Sequence, residues 1–262
     1  MSEIQIRFDN GAAYEDYMGK WSQLAGERFI DWLAPMSGAR WLDVGCGNGA
    51  FTEMLVARCA PAAVHGVDPS AEQLLFARQR PALAAAQLHT GDAMALPFAA
   101  ASFDIAVMPL VIFFVPEPAK GVAEMVRVLA PGGVAAAYAW DMHGGGFPYN
   151  ALRLVINELG YTVPAPPSPE ASRLEEMQAL WQAAGLSEVQ TRVIEVERTY
   201  ASFDDYWRIV QGGPSVGATL ASMAAGDVDK LKAQLRTSLP TAADGSITLS
   251  ARAHAVKGRV TG

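Results

Sequence analysis

Apolar residues recur at spacings of three and four from Tyr14 to Trp32: Tyr14, Tyr17, Met18, Trp21, Leu24, Ala25, Phe29 and Trp32, with Arg28 on the same stripe. That period predicts an amphipathic helix with one aromatic-rich face. Such a face suits core packing or a helix folded over a ligand pocket. Beyond it the pattern alternates between short apolar runs and helical stretches. Strands are predicted at Ala39 to Val44, Ala63 to Val67, Gln87 to Thr90, Phe103 to Met108 and Val134 to Trp140. Helices are predicted at Ala50 to Ala60, from Ser70 with Gln73 completing a capping box, and at Pro118 to Leu129, stopped by Pro131-Gly132-Gly133. Repeated strand–helix alternation implies parallel strands with right-handed crossovers, and so a doubly wound α/β sheet.

After Trp140 the pattern changes. Asn150 to Leu159 and Ala171 to Ala184 read as helices, separated by the proline-rich linker 164–169. Val189 to Thr199 and Ile247 to Val256 alternate as strands do. Between them lies a mostly helical insertion broken at Gly212-Gly213-Pro214.

The chain has 262 residues, 51% of them hydrophobic and 18% charged, enough for one large domain with a real core. The net charge of −7 gives no basic footprint for phosphate backbones, so no nucleic-acid partner is expected. Cys46 and Cys59 do not form a disulfide framework. The polar start Met1 to Arg7 lacks a signal-peptide core, and the longest apolar run, Ile105 to Val115, is far short of the ~20 residues of a membrane span. A soluble cytoplasmic protein without a membrane span is the expectation, as a monomer or a homodimer.

Candidate chemistry begins where the first strand runs into Gly45-Cys46-Gly47-Asn48-Gly49 and then a helix. Glycines serve where a backbone turns sharply or approaches a ligand, and the N–H groups there favour an anionic group. With Ala50 in third place the turn also fits a dinucleotide pattern, so an NAD(P) oxidoreductase is an alternative. Against it, Asp43 stands two residues before the first glycine, where dinucleotide folds usually keep an apolar residue. Asp68, about twenty residues on, suits vicinal ribose hydroxyls in either ligand. Asp92 follows the third strand and suits an exocyclic amine, with the Ala93 N–H beside it and Met94 against a ring face. All three acids fall at carboxyl ends of predicted parallel strands, where open α/β sheets bind ligands.

Leu42 to Gly49 resembles motif I of the class I S-adenosylmethionine (SAM)-dependent methyltransferases. Gly66-Val67-Asp68, Gly91 to Phe98, Ser102-Phe103-Asp104, Phe113 to Pro118 and Arg127 to Gly133 resemble the motifs that follow. Over residues 40 to 140 the match is to the type 11 branch, related to ubiquinone and menaquinone methyltransferases. The resemblance implies a Rossmann-like seven-stranded sheet, mostly parallel, with its last strand antiparallel. It implies one methyltransferase domain over 1–262: a helical cap at 1–34, the sheet core at 35–200 and 245–262, and an insertion at 201–244 covering the substrate site. SAM contacts are implied at Asp43, Gly45, Gly47, Asp68, Asp92, Ala93 and near Pro109 and Leu110. The neighbouring Cys46, Pro69, Gln73 and Met94 are expected at the same ligand, with Tyr17 and Trp21 closing over it. Met108-Pro109-Leu110 departs from the Asn-Pro-Pro-aromatic motif of base-N methyltransferases, which favours a small organic acceptor. His143, just past the fifth strand, is the candidate general base. No metal spacing is visible. A SAM-binding protein without transferase activity is the third reading.

Overall fold

The computed structural model describes residues 15–213 and 216–261. Tyr14 and Pro214, singled out above, lie outside them. Seven strands form one sheet: β1 (Arg40–Val44), β2 (Ala63–Asp68), β3 (Gln87–Thr90), β4 (Phe103–Pro109), β5 (Leu129–Trp140), β6 (Ser187–Tyr200) and β7 (Ile247–Arg259). Their order is β3-β2-β1-β4-β5-β7-β6. The first five pair in parallel, and β7 runs antiparallel to both β5 and β6. This is the Rossmann-like arrangement expected from the sequence, and each strand falls where alternation places it.

The boundary of β5 differs. Its start at Leu129 takes in Pro131-Gly132-Gly133, expected only to stop the preceding helix. The Gly132 N–H donates to the Val260 carbonyl and the Val260 N–H to that of Gly133, so backbone hydrogen bonds beyond β7 hold this segment in the strand although Gly132 takes a φ of +76°.

The first regular helix, α1 (Lys20–Leu33), follows one π-type turn, Glu15–Gly19. Its stripe Trp21, Ala25, Phe29, Ile30 and Leu33 is buried. Full burial of each large apolar side chain contributes about 1.5–3 kcal/mol, so tertiary packing holds this helix. The stripe meets the sheet beside β6 and β7. Trp21 donates its ring N–H to the Tyr200 hydroxyl at 3.0 Å, and Lys257 reaches the Trp32 carbonyl at 3.0 Å.

Helix α2 (Ala50–Cys59) follows the glycine turn, and α3 (Ala71–Ala77) starts at Ser70, whose hydroxyl accepts from the Gln73 N–H. Helix α4 (Pro118–Val128) begins with proline in its first turn, where no backbone donor is needed. After β5 come α5 (Asn150–Glu158) and α6 (Leu174–Ala183). The insertion folds as α7 (Phe203–Val210), α8 (Val216–Ser222) and α9 (Ala225–Ser238). No helix among the described residues is long and apolar enough to cross a membrane.

Candidate active site

The carboxyl ends of β1, β2 and β4 open into a cavity of about 880 Å³. At its floor the chain turns through Gly45, Gly47 and Gly49, all at positive φ. Gly45 is required twice over. Its φ of +75° is costly for a side chain, and an added Cβ would lie 2.5 Å from Val111. Gly47 sits at φ +51° with open space where a Cβ would stand, so ligand can reach its backbone.

Three acids stand around this turn in different states. Asp43 is fully buried. Its Oδ2 accepts from the Thr52 hydroxyl at 2.7 Å, and its Oδ1 is buried without a hydrogen-bond partner. Burial pushes its carboxyl up to about 7, with Thr52 opposing and the Asp68 charge adding to the rise. Such an oxygen is a ready acceptor for a cation or an N–H donor. Asp68, nearly buried, accepts from Gly47 N–H at 2.9 Å and Ser70 N–H at 2.8 Å, one on each oxygen. Burial raises its pKa and these two donors oppose the rise. Second lone pairs on both oxygens remain for hydroxyl donors. Asp92 is exposed, and its Oδ1 accepts from the Met94 N–H at 2.8 Å, fixing a tight turn.

Most of the sequence-derived contacts meet in this cavity. Asp43, Gly45, Cys46 and Gly47 line it from the first strand and turn. Asp68, Pro69 and Gln73 line it from the second strand end, and Asp92, Ala93 and Met94 from the third. Pro109 and Leu110 complete the wall after β4. Leu110 holds φ +60°, a left-handed conformation costing a branched residue about 1–2 kcal/mol. Its N–H, bonded to the Tyr138 carbonyl at 2.7 Å, pins it there. Burial drives the Cys46 thiol far above its usual value, and Asp43 and Asp68 add to this, so it stays protonated.

Three expectations need correction. Tyr17 and Trp21 do not line the cavity. Tyr17 stacks on Tyr149 with ring centroids 4.2 Å apart, and Trp21 packs edge-on to Trp140. Their face of the stripe belongs to the core because the β5–β7–β6 side of the sheet offers α1 an aromatic bed. His143 also stands away from the cavity. The Asp141 carboxylate takes the Arg252 guanidinium at 2.6 Å and the Gly144 N–H at 2.6 Å, folding loop 141–146 back onto β7. That leaves the His143 imidazole 3.1 Å from Glu170. Among the described residues, no histidine and no residue of the insertion lines the cavity. The insertion instead buttresses the cap: Gly213 abuts the Tyr17 ring so closely that a Cβ would come within 2.8 Å of it.

Other residues were not anticipated. Glu15, from the turn before α1, accepts from Asn48 Nδ2 at 3.0 Å and Arg80 at 2.6 Å. Arg80 also binds Glu53 at 2.7 Å and the Asn48 carbonyl at 2.7 Å, so one guanidinium clasps cap, turn and helix α2 together. Phe51, Met54, Phe114, Val115 and Tyr138 supply the apolar wall. The spacing of Phe51 and Met54, three residues apart in α2, is the one local signal that was available.

Residues 42–137 match the family model described as a methyltransferase domain. Over these residues the chain is similar to the class I SAM-dependent methyltransferases of the type 11 branch. It is 39% identical over 111 residues to a ubiquinone/menaquinone biosynthesis C-methyltransferase of Roseobacter denitrificans, covering 41% of this chain and 44% of that protein. The chain thus spans about half the length of the curated relatives it matches first. A 2-phytyl-1,4-naphtoquinone methyltransferase of Thermosynechococcus vestitus is 27% identical over 249 residues, 88% of this chain and 93% of that one. The fold is shared with a Haemonchus contortus phosphoethanolamine N-methyltransferase structure holding S-adenosylhomocysteine, at TM-score 0.62 and 20% identity, covering 98% of this chain and 59% of that one.

Proposed function

We propose that this protein binds SAM in the cavity and moves its methyl group to a small organic acceptor. The observation that carries the reading is the buried, unpartnered Asp43 Oδ1 beside a glycine turn held at positive φ. It suits the ligand's ammonium group, while Asp68 suits the ribose hydroxyls and the Asp92–Met94 turn suits the adenine. When bound, SAM supplies a methyl group on a positive sulfur, which the acceptor's nucleophile displaces in line.

The chain's own work is alignment and exclusion of water. Alignment of reacting groups contributes several kcal/mol to such a displacement. Phe51, Met54, Phe114 and Tyr138 give the reacting end an apolar lining, which suits a step that disperses charge. No histidine among the described residues lines the cavity, so any proton the acceptor gives up would go to solvent or to a cavity carboxylate such as Glu15, Glu53 or Asp92. The quinone names of the relatives make quinols and phenols the first class to try.

Calorimetric titration with S-adenosylhomocysteine and with NADH tests the cofactor. Tight NADH binding without S-adenosylhomocysteine binding overturns the reading. A methyl-transfer screen over quinols, phenols, amines and carboxylic acids tests the activity. Cofactor binding with no turnover across that screen would instead favour a SAM sensor.

A further inference from the structure

Arginine keeps its charge at any physiological pH and carries five N–H donors. A guanidinium drawn out of water therefore needs acceptors. The half-buried arginines Arg80, Arg198 and Arg252 obey this rule. Arg80 holds Glu15, Glu53 and the Asn48 carbonyl. Arg198 holds the carbonyls of Asp16 and Tyr17, and Arg252 holds Asp141 and the Gly144 carbonyl.

Arg153 on α5 is withdrawn to a similar degree and has no such partner. Among the described residues its guanidinium makes no hydrogen bond or ion pair. Its contact is the face of Phe147, with the guanidinium carbon 5.5 Å from the ring centroid. Helix positions three and four away hold Tyr149, Asn150, Ile156 and Asn157, none of them acidic. Burial pushes the Arg153 pKa down, and only Tyr17 opposes that shift. Among the described residues, no acidic side chain is spent here.

We propose that Arg153 is an anion-binding residue, taking a carboxylate or phosphate group against Phe147 and Tyr17. The geometry is that of a site whose counter-charge arrives with a ligand. An uncompensated cation is costly in the empty protein, and a bidentate oxyanion removes that cost. Arg153 lies on the first helix after β5. Tyr17 belongs to the turn whose Glu15 and Gly19 wall the cofactor cavity, so a bound anion braces that turn from its other side. This assignment stands independently of the methyl-transfer reading.

The test is thermal unfolding of the full chain, of Arg153→Met and of Arg153→Lys. Each is measured in chloride and then with added acetate or phosphate at constant ionic strength. In chloride, Arg153→Met should melt no lower than the parent. Saturating anion should raise the parent's Tm by on the order of 2–4 °C, leave Arg153→Met unmoved, and raise Arg153→Lys partly. A response to phosphate alone identifies a phosphate ligand, and a response to both anions a carboxylate one. Arg153→Met melting below the parent with the same anion response overturns the proposal. So does a parent Tm that neither anion moves. An anion seated at the glycine turn would stabilise parent and Arg153→Met equally, which also overturns it.

Discussion

Replacing Thr52 with valine should move the pH profile of cofactor affinity. In the folded protein Asp43 stands at about 7 against an ordinary 3.8. At about 1.4 kcal/mol per unit, roughly 4 kcal/mol opposes burying its charge. The sign follows directly: the native state holds a proton that the unfolded chain has released. Stability from this group is therefore lost as pH rises from 3.8 to about 7. A bound ammonium facing Oδ1 reverses that loss, so cofactor affinity should rise through neutrality as Asp43 ionises. The Thr52 hydroxyl favours the ionised form. Hydrogen bonds to charged groups are worth about 1.5–3 kcal/mol, so valine should raise the Asp43 pKa by about 1–2 units. At pH 7 the ionised fraction would drop roughly 5- to 50-fold, and the affinity for S-adenosylhomocysteine with it. Calorimetric titrations from pH 6 to 8.5 read this out. The loss should narrow towards pH 8.5, and Thr52→Ser should keep the parent profile. A loss equal at every pH would mean that Thr52 acts by packing alone. Flat profiles for both proteins would refute the coupling to Asp43.

Three further outcomes are expected. Asp68→Asn points an amide towards the N–H of Gly47 or Ser70, which are donors themselves; S-adenosylhomocysteine affinity should fall about 10- to 100-fold in titration. Glu15→Gln loosens the clasp to Arg80 and Asn48. Its Tm should fall only modestly, because the amide oxygen still accepts from Arg80 and the Arg80–Glu53 pair remains, while cofactor release in stopped flow becomes faster and less sensitive to salt. His65 and His89 share a hydrogen bond at 3.1 Å, and burial followed by the His89 charge lowers the His65 pKa. The unfolded chain then binds the extra proton first, so denaturant stability should fall as pH drops below about 6.5, and His65→Gln should flatten that slope.

Most of the sheet was legible because each strand end carries its own local signal. Alternation, the glycine turn and the Ser70 cap all act within a few residues. The three acids at the cavity were legible for the same reason: each stands at or beside the end of its strand. What escaped depends on contacts between distant segments. The Arg80 clasp joins residues 15, 48, 53 and 80, and nothing local marks Arg80 as the hub. The aromatic stripe announced a buried face without saying which surface would bury it. Tyr17 and Trp21 therefore went to the core, while polar Glu15, Lys20 and Gln23 from the same segment came to face the cavity. His143 was placed by its distance from a strand end, and the pull of Arg252 on Asp141 turned its loop elsewhere.

The helix that walls the cavity rests on β6 and β7, the last two strands of the sheet in chain order. Trp21 bonds to Tyr200, the carbonyls of Asp16 and Tyr17 to Arg198, and the Trp32 carbonyl to Lys257. During synthesis α1 emerges before the sheet, yet its docking surface appears only after β6 and β7 have paired across the insertion. Closing that long contact is a late event with a high loop-closure cost. Until then the glycine turn and its three acids can form over β1 to β5, but the pocket has no roof. A nascent chain would thus have the means to recognise its cofactor before it can retain it.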